Sequence, residues 1–237
     1  MINGINSREM ILEILLEIEE GEHSHVAIRN ALSKYQFLPK QDRAFITRVC
    51  EGTLEYRIQI DYIINSFSKV TVDKMKPAIR EILRSAVYQL KYMDSVPDSA
   101  VCNEAVKLAQ RKGFYNLKPF VNGVLRTIAR EMDQVRFPQK EDDLLKYLSV
   151  KYSMPEVLVT RWLEAYGEET TEKILADFLM EHPLTIRCRT YLNSKEEVIK
   201  SLESQGVHVA PAPYLPYAYS ISEFNHILAL DAFIKGK

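Results

Sequence analysis

Apolar side chains recur at every third or fourth position through the first 137 residues, which is the spacing of amphipathic helices. Ile79, Ile82, Leu83, Ala86 and Val87 form the clearest of these stripes. Short polar connections containing Gly or Pro separate one stripe from the next. The pattern predicts seven helices, near residues 6–20, 24–35, 42–54, 58–67, 77–90, 101–110 and 118–132. Helices joined by such short connections predict a compact bundle.

Residues 136–140 (RFPQK) indicate a domain boundary, because a polar segment with a proline interrupts the periodic pattern there. Two more helices are predicted beyond it. One opens at a capping box formed by Ser153 and Glu156 and ends at Gly167, and the other covers residues 168–179.

The chain becomes β-prone from Pro183 onward, where residues alternate between apolar and polar types. Strands are predicted at residues 184–189, 207–210 and 217–221, with one helix over 194–206. We therefore expect a mainly α protein, with an all-α helical bundle over residues 1–138 and a smaller α+β subdomain over residues 139–237.

Composition describes an ordinary globular protein of 237 residues, 46% of them hydrophobic and 27% charged. No run of 18 apolar residues occurs, and the N-terminus is acidic where a secretory signal would begin basic, so we expect neither a membrane span nor secretion. Cys50, Cys102 and Cys188 are far apart and form no CxxC pair. This spacing argues against a disulfide framework or a zinc site, and favours a cytoplasmic location.

The net charge of −1 conceals an uneven distribution along the chain. Residues 23–140 hold 20 Lys or Arg against 11 Asp or Glu, whereas residues 1–22 and 141–237 are both acidic. A basic middle segment favours a polyanionic partner, although an ordinary solvated surface explains the same composition.

Motifs of bond-making chemistry are absent from the sequence. No GxGxxG, P-loop, GxSxG or HExxH pattern occurs. His23 and His25 would need a third ligand to hold a metal, and Cys102 has no predicted base beside it. We therefore assign no catalytic, cofactor-binding or metal-binding residue.

Asn103 and Asn122 each lie within an apolar helical stretch. A buried amide must find hydrogen-bond partners, and most buried side-chain amides find them on the backbone. We expect each amide to tie its helix to neighbouring backbone. A hydrogen bond to a nucleotide base or ribose is the alternative.

Basic residues are spaced in stripes along the predicted helices. Arg80 and Arg84 are four residues apart, as are Arg126 and Arg130, while Arg43 and Arg48 share one helix. Stripes of this kind suit phosphate contacts, which hold a polyanion without reading its sequence. Solvation of the outer helix faces explains them equally well, and the pattern alone does not decide between the two.

Four sequence blocks in order resemble the NusB-like domain. These are residues 42–54 (DRAF…EGTL), 79–92 (IREILRSAVYQLKY), 96–106 (VPDSAVCNEAV) and 120–126 (FVNGVLR). The resemblance implies an all-α fold that binds RNA.

Residues after the bundle resemble a second family. Residues 152–167, with Arg161 and Trp162, and residues 183–187 (PLTIR) are similar to the N-terminal region of bacterial 16S rRNA cytosine-5 methyltransferases of the RsmB/Sun type. This resemblance implies a catalytic domain with a loop that binds S-adenosylmethionine and two catalytic cysteines. No segment of this chain matches that domain. Cys50, Cys102 and Cys188 therefore take no catalytic role from it.

Our first hypothesis is that residues 1–237 bind 16S rRNA and position it for the chain's own C-terminal catalytic domain, and are inactive alone. The alternative is a stand-alone NusB-like regulator of transcription antitermination. A third possibility is that the bundle only packs on the catalytic domain. Oligomeric state is not predicted. The expected RNA contacts are Arg8, Arg43, Arg48, Arg57, Lys107, Arg111, Lys112, Lys118 and Arg126.

Overall fold

The computed structural model describes residues 6–35, 38–224 and 227–236, and the chain divides into two compact units at Leu179. The first unit begins with the predicted bundle. Its helices are α1 (Ser7–Glu19), α2 (Ser24–Lys34), α3 (Lys40–Glu55), α4 (Arg57–Phe67), α5 (Pro77–Tyr92), α6 (Asp98–Arg111) and α7 (Lys118–Glu131). Each lies within a few residues of its predicted position, which confirms the helical bundle.

Local chemistry explains where the helices begin. The Asn6 side chain accepts hydrogen bonds from the backbone N–H groups of Arg8 and Glu9, so it caps α1. Pro77 occupies the first turn of α5, where its missing N–H is not needed. Helix α5 packs against α1, α3, α4, α6 and α7, and its residues from Glu81 to Gln89 are buried. It is the central helix of the bundle.

Gly52 allows α3 and α5 to approach closely. The ring of Tyr88 on α5 occupies the space where a side chain at position 52 would begin. Any larger residue at position 52 would have to displace that buried ring, which typically costs about 1–3 kcal/mol. The glycine in the EGTL block is therefore explained by packing.

Two further helices complete the first unit, α8 (Leu144–Lys151) and α9 (Glu156–Phe178). Helix α8, capped by Asp143, was not predicted. The predicted break at Gly167 is confirmed, since this residue has φ 73° inside α9. The predicted capping box at Ser153 is wrong: Ser153 has φ 51°, and its hydroxyl accepts from the Ile58 backbone N–H at 3.1 Å.

The segment between α7 and α8 lies against the bundle. The Tyr62 hydroxyl donates to the Arg136 carbonyl at 2.7 Å, and the Tyr62 ring stacks on Phe137 at 5.7 Å. On α4, Gln59 donates to the Val150 and Lys151 carbonyls at the end of α8. Helices α8 and α9 thus belong to the first compact unit, and the boundary after residue 138 stays a prediction about family domains.

The second unit is a small α+β fold. It contains β1 (Leu184–Arg187), α10 (Lys195–Glu203), β2 (His208–Pro211), β3 (Ala218–Ser222) and a short α11 (Asp231–Ile234). The strands are antiparallel in the order β1-β3-β2. Ser194 and Glu197 form the predicted capping box of α10. Its Val198 and Leu202 join the apolar side chains of β3 in one core.

Two negative findings hold for the described ranges. No helix there has both the length and the apolar character that crossing a lipid bilayer requires. No group of three His, Cys, Asp or Glu side chains is arranged there to hold a metal ion. His23 and His25 stack on one another at 5.9 Å.

Candidate nucleic-acid interface

Helices α6 and α7 pack side by side and carry basic residues along their outer surface. Two hydrogen bonds cross between them. Lys118 Nζ donates to Gln110 Oε1 at 2.8 Å, and Arg126 Nη2 donates to Asn103 Oδ1 at 3.4 Å. We use "the α6–α7 face" for the surface formed by Asn103, Glu104, Lys107, Arg111, Lys118, Asn122 and Arg126.

Arg126 is held by two amides on this face. Its Nε donates to Asn122 Oδ1 at 2.9 Å, and its Nη2 reaches Asn103. The expectation that both amides tie their helices to backbone is therefore wrong for these oxygens, because they hold an exposed guanidinium. Asn103 is exposed and Asn122 is half-buried, so neither amide has to find a backbone partner. Further guanidinium N–H groups of Arg126 remain for an outside acceptor, since arginine has five.

Lys107 and Arg111 follow one another along α6 at a spacing of four residues. Lys107 Nζ donates to Glu104 Oε1 at 2.7 Å. This hydrogen bond is the main cause of a lowered pKa for the Glu104 carboxyl, and the charges of Arg8 and Arg111 lower it further. The face therefore contains several cations and one carboxylate within electrostatic reach of them.

Arg8 of α1 lies near the charged residues of the α6–α7 face and is only partly available to a ligand. Its Nε donates to Gln89 Oε1 at 3.2 Å, and its guanidinium lies 5.3 Å from the centre of the Phe45 ring. Partial burial lowers the pKa of Arg8, and the charge of Glu104 opposes this. The side chain thus packs between helices and adds its charge to the surface.

Lys112 has a different environment from its neighbour Arg111. Its ammonium forms ion pairs with Glu9 at 3.2 Å and Glu13 at 3.0 Å, both on α1. Those carboxylates raise the pKa of Lys112, although burial opposes them as the largest single effect. Lys112 joins α1 to α6, and its charge is already balanced within the protein.

The remaining predicted contacts lie on α3 and α4. Arg43 is half-buried, while Arg48 and Arg57 are exposed. Arg48 interacts with the Tyr88 hydroxyl and partly offsets the rise in the pKa of Tyr88 that burial causes. Glu51 and Glu55 lie on the same helix surface as Arg48, so this surface is mixed in charge. The structure thus distributes the nine predicted residues over more than one surface.

Spacing alone gave a misleading impression of Arg80 and Arg84, which face inward. Arg84 binds Asp61 through two hydrogen bonds of 2.7 and 2.6 Å and Glu81 through one of 2.5 Å. Arg80 pairs with Glu19. The signal that was overlooked is the presence of Asp61 and Glu81 within apolar helical stretches, since buried carboxylates need cationic partners.

Comparison with known proteins identifies the first domain. The sequence model of the NusB family matches residues 5–130, more than half of the chain. The chain belongs to the NusB family. A second model, the ferredoxin-like domain of the RsmF/B-like methyltransferase group, matches residues 154–227. This NusB-family chain thus has the two-part organisation expected from its sequence blocks.

Relatives of two kinds share this sequence. The probable ribosomal RNA small subunit methyltransferase B of Bacillus subtilis (strain 168) is 32% identical over 202 residues, which cover 85% of this chain and 44% of the relative. The transcription antitermination protein NusB of Dictyoglomus thermophilum is 33% identical over 130 residues, covering 54% of this chain and 85% of the relative. The NusB-family chain therefore spans less than half the length of the methyltransferase relative.

A solved structure shares the fold over nearly the whole chain. The crystal structure of PH0851 superposes with a TM-score of 0.70 and 23% sequence identity, covering 99% of this chain and 52% of that one. At this identity the similarity concerns the fold alone.

Proposed function

We propose that residues 1–237 form the RNA-binding part of a small-subunit ribosomal RNA cytosine-5 methyltransferase. The observation that carries this proposal is the succession of a NusB domain and an RsmF/B-type ferredoxin-like domain in one chain. The antitermination relative matches 54% of this chain, whereas the methyltransferase relative matches 85% of it and so extends beyond the first domain. The transfer of a methyl group from S-adenosylmethionine is assigned to a catalytic domain outside residues 1–237.

Binding is assigned to the α6–α7 face. Arg126 is oriented by Asn122 and Asn103, and Lys107 and Arg111 stand four residues apart beside it. Lysine and arginine hold phosphates mainly through charge, whereas amides can also contact base edges. The face therefore suits an RNA backbone with a small number of contacts to bases.

The first experiment measures binding of the 237-residue chain to 16S rRNA fragments by filter binding or fluorescence anisotropy. Four phosphate contacts would give a slope of log K against log salt of about −3. Replacing Lys107 and Arg126 together by Ala should make this slope shallower by about 1.5. The Lys173→Ala variant, which removes one ammonium from α9, is the control for the loss of a surface cation elsewhere and should bind as the wild type does.

The same chain should transfer no methyl group from S-adenosylmethionine to the bound RNA. Methylation by this chain alone would contradict the assignment of chemistry to a separate domain. Reading the gene beyond the codon for Lys237 tests the rest: an open frame into a Rossmann-like domain supports the methyltransferase, and a stop codon there supports the stand-alone regulator. Failure of the folded chain to bind RNA in dilute salt would favour a bundle that only packs on a catalytic domain.

A further inference from the structure

Glu104 is the carboxylate of the α6–α7 face. Its side chain is 25% exposed, and it accepts a hydrogen bond at 2.7 Å from the ammonium of Lys107, whose side chain is 60% exposed. In helix α6, positions 104, 107 and 111 lie on one side, because residues three and four apart are neighbours on a helix surface. Arg111 therefore stands on the same side as this ion pair, and Arg8 of α1 also interacts with the Glu104 charge.

A carboxylate and a phosphate bind lysine and arginine in the same way, through charge-assisted hydrogen bonds. Glu104 therefore occupies in the free protein the position that an RNA phosphate would take beside Lys107. Its negative charge also reduces the attraction that Arg8 and Arg111 exert on a polyanion. Removal of that charge would leave the same cations without an internal competitor.

We infer that Glu104 is an affinity-limiting counter-ion, which pairs with Lys107 in the free protein and is displaced by a phosphate of the bound RNA. The inference rests on the proposed RNA-binding function and adds to it a residue that holds affinity down. A weakened phosphate attraction lowers binding to any RNA, because phosphate contacts carry no sequence information.

A purely structural role for Glu104 makes a different prediction. If the carboxylate served to hold Lys107 and Arg8 in place for RNA, its removal would disorder these side chains and weaken binding. Competition with phosphate predicts the opposite change. The sign of the effect on affinity therefore separates the two roles.

The experiment compares Glu104→Gln with the wild-type chain in binding to one 16S rRNA fragment between 50 and 200 mM NaCl. The glutamine keeps the size and one acceptor oxygen but removes the charge. We expect Kd at 50 mM to fall by about fivefold, and the slope of log K against log salt to change by less than the value of one phosphate contact, about 0.75, because the same phosphates are bound in both proteins. Glu104→Asp keeps the charge and should bind as the wild type does.

Glu169→Gln is the matched control. Glu169 also accepts from a lysine, Lys173, at 2.7 Å, but on α9. The Glu169→Gln variant changes the net charge by the same amount as Glu104→Gln. An equal gain in RNA affinity would therefore show a general charge effect and overturn the inference. A further control is Glu104→Gln in a Lys107→Met background, compared with Lys107→Met alone. Most of the gain in RNA affinity should disappear there, because the ammonium that pairs with Glu104 is absent.

Unchanged or weaker binding by Glu104→Gln, with the wild type binding normally, would overturn the role of Glu104 and leave the RNA-binding function standing. Absence of binding by the wild type in dilute salt would instead remove the function on which the inference rests. The two failures are therefore distinguishable in one titration series.

Discussion

At the scale of single residues, the role of Glu172 follows from its hydrogen-bond partners. Glu172 of α9 accepts hydrogen bonds from Lys151 at 3.0 Å, from the Tyr152 hydroxyl at 3.0 Å and from Lys140 at 3.2 Å. Lys151 and Tyr152 lie at the end of α8, so one carboxylate joins α8, α9 and the segment before them. The hydrogen bond from Lys151 is the main reason why the pKa of Glu172 is lowered from 4.5 to about 2, although partial burial opposes it.

Replacing Glu172 by Gln should lower stability in a pH-dependent way. A carboxyl whose pKa is depressed by folding stabilises the native state above its unfolded pKa, and this contribution is lost as pH falls through the folded value. The gap in free energy of unfolding between the wild type and Glu172→Gln should be about 1 kcal/mol at pH 7. It should begin to close below about pH 4.5 and continue closing towards pH 2.

Urea unfolding at pH 7, 4.5 and 3 measures this gap. Glu169→Gln serves as control, because Glu169 pairs with Lys173 at the protein surface, and it should show little difference from the wild type at any pH. A gap for Glu172→Gln that stayed constant down to pH 3 would mean that the carboxylate's charge does not stabilise the fold.

Helices were predictable from the sequence wherever an apolar stripe and an end signal agreed. The stripe of α5 with Pro77 at its start is one example, and the break at Gly167 is another. Helix α8 was missed because its eight residues are too short for periodicity to stand out. The capping box at Ser153 failed because the serine hydroxyl binds the backbone of α4, a partner 95 residues away that no local pattern reveals.

The candidate site was predictable to a lesser degree. Sequence spacing found Lys107, Arg111 and Arg126, but it gave the same weight to Lys112, which α1 neutralises. It also showed Arg84 as part of a basic stripe, although this guanidinium is buried in ion pairs. Helical spacing gives the direction of a side chain, whereas its charge partner depends on tertiary packing.

At the scale of elements, the ring of Phe137 should hold the segment between α7 and α8 against the helical bundle. Phe137 stacks on Tyr62 of α4 on one side, and the Lys91 ammonium of α5 lies 5.3 Å from its ring centre. Removing the ring by Phe137→Ala should release this segment, since an aromatic pair contributes about 0.5–1.5 kcal/mol beyond burial. We expect amide hydrogens of residues 133–143 to exchange about three- to tenfold faster.

Hydrogen exchange followed by mass spectrometry measures the exchange rate of this segment. Helix α5 is the internal reference, because its exchange rate should not change. Phe178→Ala is the matched control: Phe178 stacks on Trp162 at the same centroid distance of 5.7 Å, but at the end of α9. Acceleration of residues 133–143 by both variants, or by neither, would show that the Tyr62–Phe137 stack does not hold the segment.

At the scale of the whole molecule, several cations of the helical bundle are neutralised by carboxylates in the part of the chain that the structure describes. The acidic α1 neutralises Lys112, buried carboxylates neutralise Arg84, and Glu51 and Glu55 accompany Arg48 on α3. On the α6–α7 face, Lys107 pairs with Glu104, whereas Lys118 and Arg126 are held by neutral amides, so we expect attraction for a polyanion to concentrate there. The basic excess of residues 23–140 therefore predicts the binding surface poorly. A cation contributes fully to that surface only if no carboxylate of the protein neutralises it.

Two charge-reversal variants separate local contact from overall charge. Lys107→Glu with Arg126→Glu changes the net charge by the same amount as Arg43→Glu with Arg48→Glu. If phosphates bind on the α6–α7 face, the first pair should weaken RNA binding by about 100-fold at 50 mM salt and the second by about tenfold, because the second acts mainly through the general field. Equal losses would mean that no face is preferred, and a larger loss from the second pair would move the interface to α3. The gap between the variants should persist as salt rises, while the loss caused by the second pair should shrink, since long-range attraction is screened before direct contact is lost.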